Sequence, residues 1–231
     1  MQVKEGEAVA LLGANGAGKT TLLRILATLL LPTRGRASLA GHNVMQAPAA
    51  VRRQLGYHAG SDLGFYARLT GRQNLLFFGR LHHLSDEFLG KRIHELAERL
   101  GLQGSLDRQA RTLSSGTIQR LSLMRALLHQ PRVLLLDEPT RSLDAIAAAE
   151  FRQFLKTEVL ARQGTSLLFA SHTMQEIELL ADRVAVLEEG RLAAYDTPTA
   201  LRGATSMPTL EGAFAKITGR HLHSAAEHDS S

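Results

Sequence analysis

Residues Gly13, Ala14, Asn15, Gly16, Ala17, Gly18, Lys19 and Thr20 spell the spacing G-x-x-x-x-G-K-T. That spacing suits one task, cradling a chain of phosphates. Glycines let the backbone curl so that successive N–H groups point inward at anionic oxygens. A helix starting near Lys19 adds the positive end of its dipole. Lys19 is placed to reach the β- and γ-phosphates, and the Thr20 hydroxyl to ligate Mg²⁺. Thr21 extends the nucleotide-contacting run by one residue. The expected ligands are ATP and Mg²⁺, with hydrolysis as the expected reaction.

A second constellation supplies what hydrolysis needs. Val133-Leu134-Leu135-Leu136-Asp137-Glu138 is an apolar run ending in two carboxylates. In an open parallel sheet, ligands bind at the carboxyl ends of strands. Asp137 is the candidate metal ligand and Glu138 the candidate general base that polarises an attacking water. Taken alone, the pair would read as a solvated acidic turn. The phosphate loop earlier in the chain turns the balance toward chemistry.

The elements that must position these groups read as an α/β fold, a P-loop NTPase core with a mostly parallel sheet and a helical insertion. Ala8 to Leu12 is a short apolar run ending at glycine, the pattern of a doubly buried strand. Lys19 to Leu30 reads as a helix closed by Pro32. Val133–Leu136, Ser166–Ala170 and Arg183–Leu187 read as further strands, with helices at Ala145–Leu160 and Thr173–Leu180. Alternation of this kind builds a parallel sheet covered by helices. The block from about 70 to 130 is helical instead. Asp86–Leu100 has apolar residues at helical spacing, with Ser85 as N-cap and Gly101 as terminator, and a second helix spans Thr117–His129. The expected division is 1–203 for the nucleotide-binding unit, then 204–231 for a short helix and a flexible polar tail. His221, His223 and His228 belong to that tail and are read as polar surface, not a metal site.

Composition narrows the partners. The 231 residues carry no cysteine and a net charge of +5. Disulfides and thiolate chemistry are therefore excluded. The basic excess is small and scattered, so no nucleic acid is expected. No run approaches the ~18 apolar residues that span a bilayer, so membrane contact has to come through another polypeptide.

The ordered motifs resemble the nucleotide-binding subunits of ATP-binding cassette (ABC) transporters over nearly the whole chain. Leu113-Ser114-Ser115-Gly116-Thr117, followed by Ile118-Gln119-Arg120, is similar to the family signature. Thr140-Arg141-Ser142-Leu143-Asp144 resembles the D-loop, and His172 the switch histidine. Tyr66 to Leu75 is similar to the exporter-like branch. The resemblance implies a head-to-tail pair of cassettes, homo- or heterodimeric, sharing two ATP molecules. In that arrangement Ser114 and Gly116 would face the γ-phosphate of the partner's nucleotide. Asp144 would link the two sites, and His172 would contact the γ-phosphate and the water. It further implies an integral membrane permease as partner and a peripheral position on the cytoplasmic face. Two other readings are a soluble cassette ATPase acting on nucleic acid or ribosomes, and a small-molecule kinase. The length and the motif order favour the transporter subunit.

Four departures stand out. Ser115 and Thr117 replace the usual glycine and glutamine of the signature. The family's Q-loop glutamine falls on Gly60, leaving Ser61 or Asp62 as substitutes. Only twelve residues precede the loop and none is aromatic, so the usual adenine platform is missing: either the chain is truncated, or its start codon misassigned, or adenine is held another way. Leu210 to Gly219 resembles the short closing helix of exporter-type cassettes.

Overall fold

A computed structural model describes residues 1–60 and 64–219. The expected polar tail, with its three histidines, and the substitutes Ser61 and Asp62 lie outside the described residues.

Six strands form one sheet in the order β4-β5-β6-β1-β7-β8, where β1 is Ala8–Gly13, β4 Leu55–Ala59, β5 Val133–Asp137, β6 Ser166–Ala170, β7 Arg183–Glu188 and β8 Arg191–Asp196. All neighbours are parallel except β7 and β8. A short hairpin of β2 (Ser38–Leu39) and β3 (His42–Asn43) lies apart from this sheet.

Side chains alternate across each strand, so β1 feeds two cores. Ala8, Ala10 and Leu12 face one, with Leu134, Leu136, Leu167 and Phe169 beside them. Val9 and Leu11 face the other, with Leu135, Leu168 and Ala170. The first core is covered by α3 (Gly71–Leu81), α4 (Asp86–Arg99), α5 (Ser115–Leu127) and α6 (Ala145–Phe154), through Leu75, Leu89, Ile93, Leu121 and Phe151 among others. The second is covered by α1 (Lys19–Leu26), the hairpin and α2 (Pro48–Gln54), through Leu23, Leu39 and Val51. The helical insertion is thus fastened to one face of the sheet. It starts in a capping box in which Thr70 and Gln73 bond reciprocally. As expected, Ser85 caps α4 by accepting from the Phe88 N–H, and Gly101, at φ +65°, ends it.

Three elements differ from expectation. Helix α1 stops at Leu26 rather than Leu30. Thr28 adopts φ +59°, and the Thr28 and Leu29 amides bond back to the Ile25 and Arg24 carbonyls. This closure is normally built on glycine. The helix Ala145–Leu160 begins as α6 at Asp144 but continues from Leu155 to Arg162 with π-type hydrogen bonding. Helix α5 starts two residues early, so Ser115 and Gly116 belong to its first turn. After α7 (Met174–Leu180) and α8 (Pro198–Thr205), the closing helix α9 (Leu210–Ile217) buries Leu210 and Ala213 and is part of the same packed body. Among the described residues, no helix is long and apolar enough to cross a membrane.

Strand β4 carries a fully buried histidine. Burial pushes the His58 imidazole down to about 4, against an ordinary value near 6.5, and its ring stands edge-on to Phe151 at 5.9 Å. Between pH 6.5 and 4 the unfolded chain binds a proton here that the folded chain refuses. Folding stability therefore falls as pH drops through that window, by up to about 3 kcal/mol from this one group. Chemical denaturation at pH 7 and pH 4.5 checks this. The stability difference between the two pH values shrinks in His58→Phe relative to wild type.

Candidate functional site

The parallel register sets Ala59, Asp137 and Ala170, the last residues of β4, β5 and β6, side by side. Gly13 ends β1 two residues past Leu11, the partner of Ala170. Motifs about 160 residues apart in sequence thus meet at one edge, the carboxyl ends of the strands.

The loop after β1 takes the expected shape. Gly18 sits at φ +99° at the N-cap of α1, a conformation that a Cβ opposes. The β7–β8 turn braces the loop from outside, where the Gly190 N–H donates to the Ala17 carbonyl at 3.2 Å. Lys19 is only 6% exposed, and its Nζ donates to the Gly13 and Ala14 carbonyls at 2.6 and 3.1 Å. Burial lowers its pKa, opposed by the nearby charges of Glu138 and Asp137. Thr21 is exposed beside it.

The Thr20 hydroxyl donates to Asp137 Oδ1 at 3.1 Å. Two hard oxygen donors from different elements therefore converge, a donor set that fits Mg²⁺. Glu138, next in the chain, holds φ +52°, unusual for a non-glycine residue and of the kind that marks functional sites. Its N–H donates to the Ala170 carbonyl at 3.0 Å, and its Oε1 lies 2.9 Å from His172 Nε2. Burial is the largest influence on Glu138 and raises its pKa. His172 and then Lys19 act against that rise, Asp137 adds to it, and Arg141 weakly opposes it.

Asn15, Glu138, Thr140, Arg141, His172 and Thr173 line a cavity of about 450 Å³. The structure thus unites the phosphate loop, the two carboxylates and the histidine. Ser114, Gly116 and Asp144 do not line that cavity. Ser114 and Asp144 are exposed N-caps, of α5 and α6 respectively, accepting from the Thr117 and Ala147 N–H groups. The Ser114 hydroxyl also lies 2.9 Å from Thr117 Oγ1, so the threonine that replaces glutamine locks its own N-cap. A methyl placed on Gly116 would sit 3.4 Å from the Leu143 side chain, which puts the signature turn beside the D-loop.

Two residues take structural roles that the sequence does not announce. A Cβ on Gly60 would be driven into the Asp137 carbonyl oxygen and to 2.9 Å from that of Glu138. No side chain, glutamine included, fits there. The Gly60 carbonyl is held by Gln119, a buried residue of α5 whose Nε2 donates to it at 2.7 Å. The pattern around Gln119 reads only as helix. Its polarity at a core-facing position was the one available signal.

Comparison with known proteins agrees with this geometry. The family model described as "ABC transporter" matches residues 1–141. The ABC transporter ATP-binding protein NatA of Bacillus subtilis is 38% identical over 192 residues, covering 83% of this chain and 77% of the relative. The daunorubicin resistance ATP-binding protein DrrA3 of Streptomyces coeruleorubidus is 41% identical over 208 residues, covering 89% of this chain; the chain spans 64% of that relative's length. Among solved structures, the ATP-binding subunit of an ABC transporter superposes with a TM-score of 0.84 at 26% identity, over 94% of this chain and 90% of that one. A dimeric ATP-binding cassette in a post-hydrolysis state with ADP and Pi gives 0.77 at 25% identity, over 85% and 88%. On the family match and these relatives, the chain belongs to the ABC transporter family, as one of its ATP-binding subunits.

Proposed function

We propose that this chain hydrolyses ATP in a composite site closed by a second cassette, and that the closure drives a separate membrane permease. The observation that carries this reading is the place of Ser114, the exposed N-cap of α5, with Gly116 in the first turn of that helix. They sit on an exposed helix start, where backbone N–H groups are free to meet an anion on another subunit. Asp144 lies on the neighbouring D-loop, beside Ile146, which is 74% exposed.

Within one chain the roles divide as follows. The amides of residues 13–20 and Lys19 bind the phosphates. Lys19 exchanges its two carbonyl partners for phosphate oxygens. Thr20 and Asp137 would hold Mg²⁺, which neutralises phosphate charge when bound. Glu138 accepts a proton from the attacking water, and His172 orients that water and the γ-phosphate.

The permease contact is assigned to the aromatic cluster of the insertion. Tyr66 and Phe77 are exposed and pack edge-to-face at 4.9 Å. Phe65 and Phe78 lie behind them, under the Arg125 guanidinium. Exposed aromatics of this kind mark interaction surfaces. Export is the favoured direction, supported by the drug-resistance and multidrug names of several relatives. This assignment puts the chain on the cytoplasmic face of the membrane.

The test is the dependence of hydrolysis on protein concentration. Specific activity rises with concentration while cassettes are mostly monomeric and levels off once they pair. Ser114→Arg lowers the plateau without weakening ATP binding. Specific activity that stays flat across a dilution series, with only monomer present by light scattering, rules the composite site out.

A further inference from the structure

The turn carrying His172 runs into α7, whose first turn holds Glu176. Glu176 is fully buried, and neither carboxylate oxygen completes a hydrogen bond. An ionised carboxylate in such a place is unfavourable. Burial raises its pKa; of the charges facing it, Arg152 of α6 opposes that rise and Glu138 adds to it. The other polar groups acting on it are the hydroxyls of Ser171 and Thr140. Ser171 adjoins the switch histidine, and its Oγ accepts from the Thr173 N–H at 3.0 Å. Thr140 opens the D-loop segment and lines the catalytic cavity.

We propose that Glu176 is a positioning residue for hydrolysis: its neutral carboxyl, enclosed between Ser171 and Thr140, fixes the histidine turn and the D-loop in one relation to Glu138. A neutral carboxyl both donates and accepts, and each hydroxyl can do either. An ionised one could only accept. Its like charge would also push Glu138 toward protonation, which a general base cannot tolerate. The inference rests on the hydrolytic reading of Glu138 and His172 given above.

Steady-state hydrolysis by Glu176→Gln and Glu176→Leu, measured across pH and ATP concentration with Glu138→Gln alongside, tests it. Glutamine is nearly isosteric with the neutral acid. Glu176→Gln keeps kcat within ~3-fold of wild type and leaves the pH profile in place. Glu176→Leu loses ~10-fold or more in kcat, with KM for ATP little changed, because misplaced reacting groups lose rate rather than binding. A glutamine variant as impaired as the leucine variant overturns the proposal, since a charge would then be required. So does a folded leucine variant with full kcat. Should Glu176→Leu not fold, Ser171→Ala replaces it, with the same loss expected and full activity again fatal. Undiminished turnover by Glu138→Gln would instead sink the hydrolytic assignment of Glu138, an outcome read separately from the Glu176 contrast.

Discussion

Glu138→Gln abolishes most ATP turnover, by ~10²–10⁴-fold, the range in which a general base contributes, and leaves ATP binding intact. Glu138 follows Asp137 at the end of β5, with its amide fixed to Ala170 and its carboxylate 2.9 Å from His172. The amide of glutamine fills the same volume but takes no proton from water. The proposed phosphate contacts come from the loop and Lys19, so the nucleotide is expected still to bind. If unhydrolysed ATP holds the proposed paired state, dimer should accumulate with ATP on gel filtration. The wild-type pH profile carries a matching sign. Burial raises the Glu138 pKa, so activity falls on the acid side at a pH above the ordinary glutamate value, as the base becomes protonated. Turnover by the glutamine variant equal to wild type would falsify the assignment.

Gly60→Gln, the substitution that family resemblance recommends, lowers both stability and activity. A Cβ at this position has nowhere to go, because it meets the carbonyls of Asp137 and Glu138 directly. Both obstacles are backbone and cannot rotate away. Either β4 parts from β5 or the β5 terminus moves, and the β5 terminus carries the proposed metal ligand and base. Overpacking of this sort costs about 1–3 kcal/mol. A displaced Glu138 adds a loss in kcat of ~10²-fold for ~1 Å of misplacement. Gly60→Ala shows the same effects, since the clash begins at Cβ. Denaturant midpoints and steady-state kinetics of the two variants decide the matter. A stable, fully active Gly60→Gln would mean that the backbone here yields easily.

The contrast between Gly60 and Gly18 explains what the chain's letters revealed. Gly18 belongs to a spacing that demands its backbone freedom, so the loop, its strand and its helix were legible together. Gly60 is required by a carbonyl 77 positions further along, and only the β4–β5 register brings the two into contact. The strands with uninterrupted apolar runs, β1, β5, β6 and β7, were readable because burial on both faces leaves only one kind of residue. Strand β4, Leu-Gly-Tyr-His-Ala, hid behind a buried histidine and a glycine. Strand β8, largely exposed at the sheet edge, hid behind Arg191 and Asp196. Helix α1 was read four residues too long because Thr28 supplies a left-handed closure that its type does not advertise. The candidate site was legible as a set of parts. Its geometry, from the positive φ of Glu138 to the burial of Glu176, arises from tertiary contacts and has no local signature.

Strand β1 pairs on one side with β6 and on the other with β7, both of which begin more than 150 residues after it. During synthesis at ~5–20 residues per second, the phosphate loop therefore waits roughly ten to thirty seconds before either neighbouring strand has left the ribosome. Until then Ala8 to Leu12 is an unpaired apolar segment with both faces open, and it is the stretch a chaperone would hold. Nascent chains arrested before Arg183 should not be retained on immobilised ATP, although the whole phosphate-binding motif has already been translated.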